Sequence, residues 1–197
     1  MFKIGDKVVY PMHGAGIIED VEIKEILNEE KKYFVLHLPL KEMRVMIPAD
    51  NTEELGLRHV VDEKKLNEVF DVLVSGLSKM DKNWNRRFRK NSDKLKTGDI
   101  LEVAEVVRNL MIMDDKKGLS TGERKMVNNS KKFLLSEICL VKDIEMEEAE
   151  EIVKQKVGVS IELEKEKVKR EEEKEKREKE KKEKKEKEEK EEKKKEN

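Results

Sequence analysis

The residues best suited to chemistry in this chain are a tryptophan and the bases around it, in the segment Lys82-Asn83-Trp84-Asn85-Arg86-Arg87-Phe88-Arg89. Trp84 is the only tryptophan, and aromatic residues make up 4% of the sequence. Between residues 79 and 96 there are eight Lys or Arg and two Asp, although the whole chain has a net charge of −1. Because affinity for phosphate follows local cation density, this segment predicts a nucleic-acid surface. The alternative is a surface helix whose tryptophan packs against its own domain.

The composition divides the chain into an ordinary part and a charged tail. Hydrophobic residues make up 36% of the sequence and charged residues 46%. From Glu164 onwards every residue except Val168 and Asn197 is Glu, Lys or Arg, so this part cannot form a core. It is either a solitary charged helix or disordered, and a solubilising extension is the simplest function for it. We therefore predict three regions, at 1–55, 60–158 and 163–197.

Several classes of protein are disfavoured by what the sequence lacks. It has no apolar run near the roughly 20 residues of a membrane span, and Met1–Asp6 lacks the apolar core of a signal peptide. We therefore expect a cytoplasmic protein that does not contact membranes. Cys139 is the only cysteine, which excludes an intrachain disulfide and a thiolate zinc cluster, and we expect it in a core.

Catalytic and cofactor motifs are also missing from the sequence. There is no Gly-x-Gly-x-x-Gly, no Walker loop and no His-Glu-x-x-His. His13, His37 and His59 lie far apart with no acidic or thiol partner at ligand spacing, so we expect them to be structural or solvent-facing. The sequence therefore predicts a protein that is not an enzyme, with no metal, cofactor or small-molecule substrate.

The first 50 residues have the pattern of a small β module. Short β-type runs at 7–10, 16–23, 33–38 and 43–47 alternate with turns at 11–14, 28–30 and 39–42. Closely spaced short strands favour a closed or half-closed barrel, because closure removes strand edges. We predict an SH3-like or Tudor-like barrel.

After Pro48 the apolar period changes to that of amphipathic helices. One helix is indicated around 66–73, another around 100–111 that ends near Gly118, and a further one at 146–157 ahead of Gly158. Ser120-Thr121-Gly122-Glu123 has the spacing of a capping box and predicts the start of a helix that reaches about Val141. The predicted fold class is α+β, with the barrel followed by an all-α helical bundle and the charged tail.

Several of these segments resemble one known family in order along the chain. They are Gly5-Asp6-x-Val8-Val9-Tyr10-Pro11-x-His13-Gly14, Ile47-Pro48-Ala49-x-Asn51, Asn83-Trp84-x-Arg86-Arg87-Phe88, Lys94-Leu95-x-x-Gly98-Asp99, Ala104-Glu105-Val106-Val107-Arg108-x-Leu110 and Gly118-Leu119-Ser120-x-Gly122-Glu123. This series is similar to that of CarD/CdnL proteins. Transcription-repair coupling factors share only the barrel, so the helical half favours the CarD/CdnL branch. The resemblance covers about residues 1–155 and leaves the tail outside the family pattern.

The resemblance implies a regulator that binds bacterial RNA polymerase through the barrel, which contacts the β subunit. By motif position, the polymerase contacts fall on Lys24 and on the strand Arg44-Val45-Met46. An exposed strand of this kind suits edge-to-edge pairing. Relatives often have arginine where this chain has Met46, and neighbouring Arg44 is positioned in sequence to supply that charge.

The resemblance also implies that the helical domain reaches promoter DNA at the upstream edge of the transcription bubble. Trp84 falls on the family's wedge, where a flat ring can enter an unstacked step of the minor groove. We expect the flanking cations to hold phosphates; they are Arg86, Arg87, Arg89 and Lys90, with Arg124 and Lys125 near a helix N-terminus as further candidates. Such attachment would stabilise the open complex. We expect a monomer that is nucleoid-associated through RNA polymerase.

Two other functions are compatible with the sequence. In the first, the protein is an adaptor whose basic surface meets an acidic protein rather than DNA. In the second, the barrel acts on RNA or the ribosome, as in modules that resemble KOW domains. Salt-dependent binding of bubble DNA distinguishes the first from a DNA-binding regulator, and co-sedimentation with ribosomes identifies the second.

Overall fold

The chain begins with a five-stranded antiparallel sheet. The computed structural model describes residues 2–26, 29–39 and 42–195. The strands are β1 (Lys7–Tyr10), β2 (Gly14–Ile26), β3 (Glu29–Leu38), β4 (Met43–Pro48) and β5 (Arg58–His59). Their order in the sheet is β4-β3-β2-β1-β5, so β4 and β5 are the edges. A 3-10 turn at Ala49–Asn51 follows β4.

The sheet has its own apolar core. The buried residues of this core are Val8, Ile18, Phe34, Leu36, Leu38, Ile47 and Leu57. Close contact between β2 and β3 requires glycine at position 16, since a Cβ there would lie 2.2 Å from the backbone oxygen of His37. The register of β2 against β3 shifts between Ile18 and Asp20, and such a bulge increases local twist.

In the described part of the chain, five helices follow the sheet. They are α1 (Glu63–Val74), α2 (Trp84–Thr97), α3 (Ile100–Lys117), α4 (Thr121–Lys142) and α5 (Met146–Lys195). The long helix α3 is buried on most sides and packs against α1, α2 and α4. One apolar cluster at its C-terminal half combines Val106, Leu110, Met113, Leu119, Met126 and Val127. Among the described residues, no helix is long and apolar enough to cross a membrane.

The helix α5 extends into the charged tail. The chain divides into two compact units, Met1–Ser160 and Ile161–Asn197. In the first unit α5 buries Ala149, Val153 and Val157. In the second unit ion pairs join residues three or four apart along the helix, as in Lys167 with Glu164 at 2.8 Å and Arg170 with Glu166 at 3.4 Å. Such pairs support a helix that has no apolar face.

A buried ion pair joins the sheet to the helices within the first unit. Arg58 on β5 donates two hydrogen bonds to the carboxylate of Glu137 on α4, at 2.6 and 2.8 Å. The side chain of Glu137 is fully buried and also accepts from the backbone N–H of Val61 at 3.0 Å. Arg58 donates in addition to the carbonyl oxygen of Gly98 at 2.9 Å, which ties in the α2–α3 turn.

Two more hydrogen bonds attach α4 to the sheet on either side of Glu137. The backbone N–H of Ala15 donates to Ser136 Oγ at 2.9 Å, and Lys7 Nζ donates to the carbonyl oxygen of Leu140 at 2.7 Å. Gly14 has φ of +111°, and a Cβ there would lie 3.0 Å from Ser136 Oγ. Larger residues are therefore disfavoured where β2 approaches α4. These contacts hold sheet and bundle in one orientation.

The predicted fold class is confirmed, with differences at particular elements. Strand β5 has only two residues and was not predicted, and Glu29 and Glu30 belong to β3 rather than to the predicted turn, of which Asn28 lies outside the described residues. Leu40 and Lys41 of the other predicted turn also lie outside them. The helix expected to end before Gly158 continues through it, because charged pairs sustain it beyond the apolar part.

Replacing Arg58 tests the contribution of the Arg58–Glu137 ion pair, which joins the sheet to the helical bundle. Arg58→Met leaves the Glu137 carboxylate buried without its cation, and we expect the free energy of unfolding to fall by about 3 kcal/mol. Urea unfolding measures this difference. The double variant Arg58→Met/Glu137→Leu should recover part of the loss, because an apolar pair removes the uncompensated charge. If Arg58→Met were no more destabilising than the exposed control Arg124→Met, the Arg58–Glu137 ion pair would not stabilise the fold as proposed.

Candidate nucleic-acid interface

The indole of Trp84 is held on one face and exposed on the other. Trp84 begins α2, and its ring stacks on Phe88 one turn later, with centroids 5.3 Å apart and an angle of 27°. Its Nε1–H donates to Ser120 Oγ at 2.9 Å. The residue remains 42% exposed. The ring is therefore fixed in orientation while part of its surface faces solvent.

The bond between Trp84 and Ser120 brings two helix N-termini side by side. Asn83 caps α2 by accepting from the backbone N–H of Arg86 at 3.1 Å. Ser120 caps α4, and the capping box with Glu123 predicted from the sequence is confirmed. Each helix N-terminus has a partial positive charge from the aligned peptide dipoles of its helix, so this edge of the bundle favours anions.

Arg87 has a structural role instead of the predicted contact with phosphate. The residue is 6% exposed, and its Nε donates to Glu123 Oε1 at 2.7 Å. Its Nη1 donates to the carbonyl oxygens of Asp81 and Lys82, at 3.1 and 3.3 Å. The guanidinium is thus engaged inside the protein and cannot hold a flanking phosphate in this conformation. It ties the segment before Trp84 to the first turn of α4.

Glu123 is the anion at the centre of this arrangement. It is 2% exposed, and besides Arg87 it accepts from the Ser120 hydroxyl, whose Oγ lies 2.9 Å from Glu123 Oε2. Burial acts to raise the pKa of the carboxyl, but the hydrogen bonds from Arg87 and Ser120 outweigh it and leave the pKa below its usual value. The carboxylate therefore stays charged and fixes Ser120, which in turn fixes the indole.

The other predicted phosphate contacts lie on the surface. Arg86 and Arg89 are three residues apart on α2, and Arg86 and Lys90 four apart, so they share one face of the helix. Lys90 Nζ donates to Asp81 Oδ2 at 2.7 Å, and this bond holds the pKa of Asp81 below its usual value. The first turn of α2 contains arginines and no acidic residue, which is unfavourable for the helix alone but suits an anion.

Two further cations come from the first turns of α4. Arg124 and Lys125 are both exposed, and Arg124 lies 4.0 Å from Asp114 on α3. They follow directly after Glu123 on the helix whose cap holds the indole. The structure therefore groups cations from α2 and α4 around the same pair of helix ends.

The predicted polymerase contacts lie on the sheet and not on the bundle. Arg44, Val45 and Met46 belong to β4, whose outer edge has no strand partner among the described residues. Arg44 is exposed and its Nε lies 3.0 Å from Glu19 Oε2. Val45 is partly buried against the sheet core.

Lys24 on β2 reaches across the sheet to the same strand. Its Nζ lies 3.1 Å from the sulfur of Met46 and 3.3 Å from Glu22 Oε2. The structure thus brings Lys24 and Met46 together, although the sequence separates them by 22 residues. Lys24 therefore supplies a positive charge next to Met46.

The three histidines do not form a metal site. His13 stacks on Tyr10 with ring centroids 4.6 Å apart, and His37 Nδ1 lies 3.0 Å from Glu19 Oε1. The ring of His59 packs against that of Phe2, with centroids 4.8 Å apart. Within the described ranges, no group of three or more His, Cys, Asp or Glu side chains could hold a metal ion.

Two features of the site were missed by the analysis of the sequence. Phe88, on which Trp84 stacks, is four residues away, and this helical spacing could have identified it. The bond from Trp84 to Ser120 links two helices 36 residues apart in sequence, and no local pattern encodes it.

Comparison with known proteins finds a matching family model for the sheet and another for the helices of the first unit. The family model "CarD-like/TRCF RID domain" matches residues 2–61, and "CarD, C-terminal domain" matches residues 68–154. "Putative transcription factor YdeB" from Bacillus subtilis (strain 168) is 44% identical over 144 residues, which are 73% of this chain and 94% of that protein. A solution NMR structure of the 72-residue N-terminal domain of Myxococcus xanthus CarD is 24% identical, covers 30% of this chain and 79% of that one, and has a TM-score of 0.27.

The buried pair of Arg87 and Glu123 makes a prediction about pH. Glu123→Gln is expected to lower the free energy of unfolding by about 2 kcal/mol at pH 7, the scale of a hydrogen bond to a charged group. Because the pKa of Glu123 is lowered by folding, its contribution is present above about pH 4.3 and is lost as the pH falls through the lower folded value. Urea unfolding of both proteins at pH 7 and pH 3 measures the difference.

The difference between wild type and Glu123→Gln should therefore shrink towards acid. In an Arg87→Met background the same substitution should lose most of its effect, since the partner is gone. A difference that stayed constant down to pH 3 would contradict the assigned role of Glu123.

Proposed function

Because this chain belongs to the CarD-like family of transcription regulators linked to RNA polymerase, we propose that it binds the polymerase β subunit through β4 and the upstream edge of the promoter bubble through Trp84. The observation that carries the proposal is the half-exposed indole, fixed by Phe88 and Ser120 at two adjoining helix N-termini. The family match covers both the sheet and the helices, which supports a separate module for each proposed contact.

The wedge is supported by geometry and charge together. An aromatic ring that enters a minor-groove step must project from the surface of its domain without a large rearrangement. Trp84 is already 42% exposed. Arg86 and Arg89 on α2, with Arg124 and Lys125 on α4, are exposed cations, which supports the proposal that they hold phosphates beside such a step. No base-reading side chain is required for this binding, so we expect weak sequence preference and strong dependence on salt.

The polymerase contact is supported by the position of β4 in the sheet. A partner strand can pair with an open edge through its backbone groups, and β4 is such an edge. Arg44 and Lys24 add positive charge at that strand, which favours an acidic segment of the partner.

The mechanism is a population shift. Attachment to polymerase and bubble edge at once is possible only in the open complex, so the protein lowers the free energy of that state relative to the closed one. The Arg58–Glu137 ion pair contributes to this mechanism because it fixes the sheet relative to the bundle. With a loose connection, part of the binding free energy would be spent on ordering the two modules. A preference of about 1–2 kcal/mol changes the open-to-closed ratio roughly 5- to 30-fold.

Removing the indole tests the wedge. Trp84→Ala is expected to shorten the lifetime of the open complex by roughly 5- to 30-fold, the equivalent of about 1–2 kcal/mol. Trp84→Phe keeps a flat ring but loses the hydrogen bond to Ser120, so its effect should be intermediate. Decay of a promoter complex after competitor challenge measures both. An unchanged lifetime for Trp84→Ala, with polymerase binding intact, would exclude the wedge.

Reversing charge on β4 tests the polymerase contact. Arg44→Glu in the full chain should bind the lobe of the polymerase β subunit at least about tenfold more weakly, since a repulsive charge replaces an attractive one. Its affinity for bubble DNA should not change. Lys125→Glu is the matched control, because it should weaken DNA binding and leave capture by the β lobe intact. Equal effects of the two variants on polymerase binding would refute the assignment of β4.

A further inference from the structure

A small cavity lies between α2, α3 and the segment that precedes α2. Its volume is about 70 Å³, above the roughly 10–15 Å³ that one water needs, so a group larger than water fits. The polar residues that line it include Lys79, Asp81, Lys90, Asn91, Lys94 and Glu105. Arg87 also lines it, which places the cavity directly beside the residue that organises the wedge.

Asn91 gives the cavity an unused hydrogen-bond donor. The residue is 5% exposed, and its Nδ2 has no hydrogen-bond partner among the described residues. It lies on the same face of α2 as Arg87, one turn further along, and these two are the buried residues of that helix. A buried amide donor without an acceptor is unfavourable, so the site favours a group with acceptor oxygens.

The charges around the cavity specify the sign of that group. Asp81 is neutralised by Lys90 at 2.7 Å, and Glu105 is hydrogen-bonded to Lys94. The positive charge of Lys79 comes in addition to these two pairs. Each paired ammonium keeps further N–H groups, because Lys has three donors and no acceptor. The lining is therefore rich in donors and positive in balance.

We propose that this cavity is a binding site for a phosphate-type oxyanion. Asn91 Nδ2 donates to one of its oxygens, while Lys79, Lys90 and Lys94 offset its charge. The two internal ion pairs are neutral, so Lys79 leaves the cavity with one positive charge. A phosphodiester of the DNA backbone has one negative charge and balances it, so DNA is the favoured source of the oxyanion. A free phosphate is the other. With DNA bound, the site would hold a backbone phosphate on the side of α2 next to the wedge.

The first experiment uses the full chain without DNA. The side-chain amide of Asn91 is followed by ¹⁵N NMR during titration with dimethyl phosphate and with inorganic phosphate, against sodium chloride at equal ionic strength. We expect its signals to shift with the phosphates and not with chloride. Lys79→Gln should abolish the shift. Lys96→Gln is the matched control and should keep it, because Lys96 is paired with Asp93 on α2 and does not line the cavity.

The second experiment distinguishes the two sources by binding of bubble DNA. If the ligand is a backbone phosphate, Lys79→Gln reduces the slope of log affinity against log salt by about 0.9 and Lys96→Gln by less. Asn91→Asp, which adds a negative charge to the cavity, weakens DNA binding about tenfold. If phosphate shifts the Asn91 signals while Lys79→Gln and Asn91→Asp bind DNA as wild type does, the site is supported and its ligand is free phosphate.

The inference deepens the proposed function, and the two can fail separately. An open-complex lifetime insensitive to Trp84→Ala, together with a shift of Asn91 by phosphate, would remove the wedge and keep the oxyanion site. If neither dimethyl phosphate nor inorganic phosphate shifts Asn91 beyond the chloride control, the cavity holds water only and the proposal is overturned. Lys79 is exposed, so Lys79→Gln should fold and decide between these outcomes even if Asn91→Asp does not fold.

Discussion

The carboxylate of Glu137 is the constraint on which the arrangement of this molecule depends. It is fully buried and is tolerable there only because Arg58 meets it with two hydrogen bonds and Val61 with a third. A buried charge with this many directional partners permits one geometry and penalises neighbouring ones. Apolar packing alone would hold sheet and bundle together, but it would specify their orientation less strictly.

The helix α4 transmits that constraint to the other end of the bundle. Near its C-terminal half, Ser136 and Glu137 bind the sheet, and at its N-terminus Ser120 and Glu123 hold the indole and its supporting arginine. The distance from Ser120 to Glu137 is about 25 Å along the helix, at about 1.5 Å per residue. A single rigid element therefore connects the module proposed to bind polymerase with the one proposed to bind DNA.

Sequence reasoning reached the fold class because hydrophobic period and caps are local signals, as the capping box from Ser120 to Glu123 illustrates. It failed where the outcome depended on distant partners. Arg86 and Arg87 are identical neighbours, yet the rotation of α2 against α4 exposes one and buries the other against Glu123. Likewise β5 is too short to have a pattern and is fixed by its pairing with β1. The site residues on the surface remain predictions.

The two anchored ends of α4 have a consequence for how this helix can change over evolutionary time. Each residue of an α-helix adds about 100° of rotation as well as about 1.5 Å of rise. Insertion or deletion of one residue between Glu123 and Ser136 would therefore turn the tryptophan's supports away from their present azimuth by more than a quarter of a circle. Substitutions can accumulate on the outer face of this segment, whereas a change in its length would set the two binding surfaces out of phase.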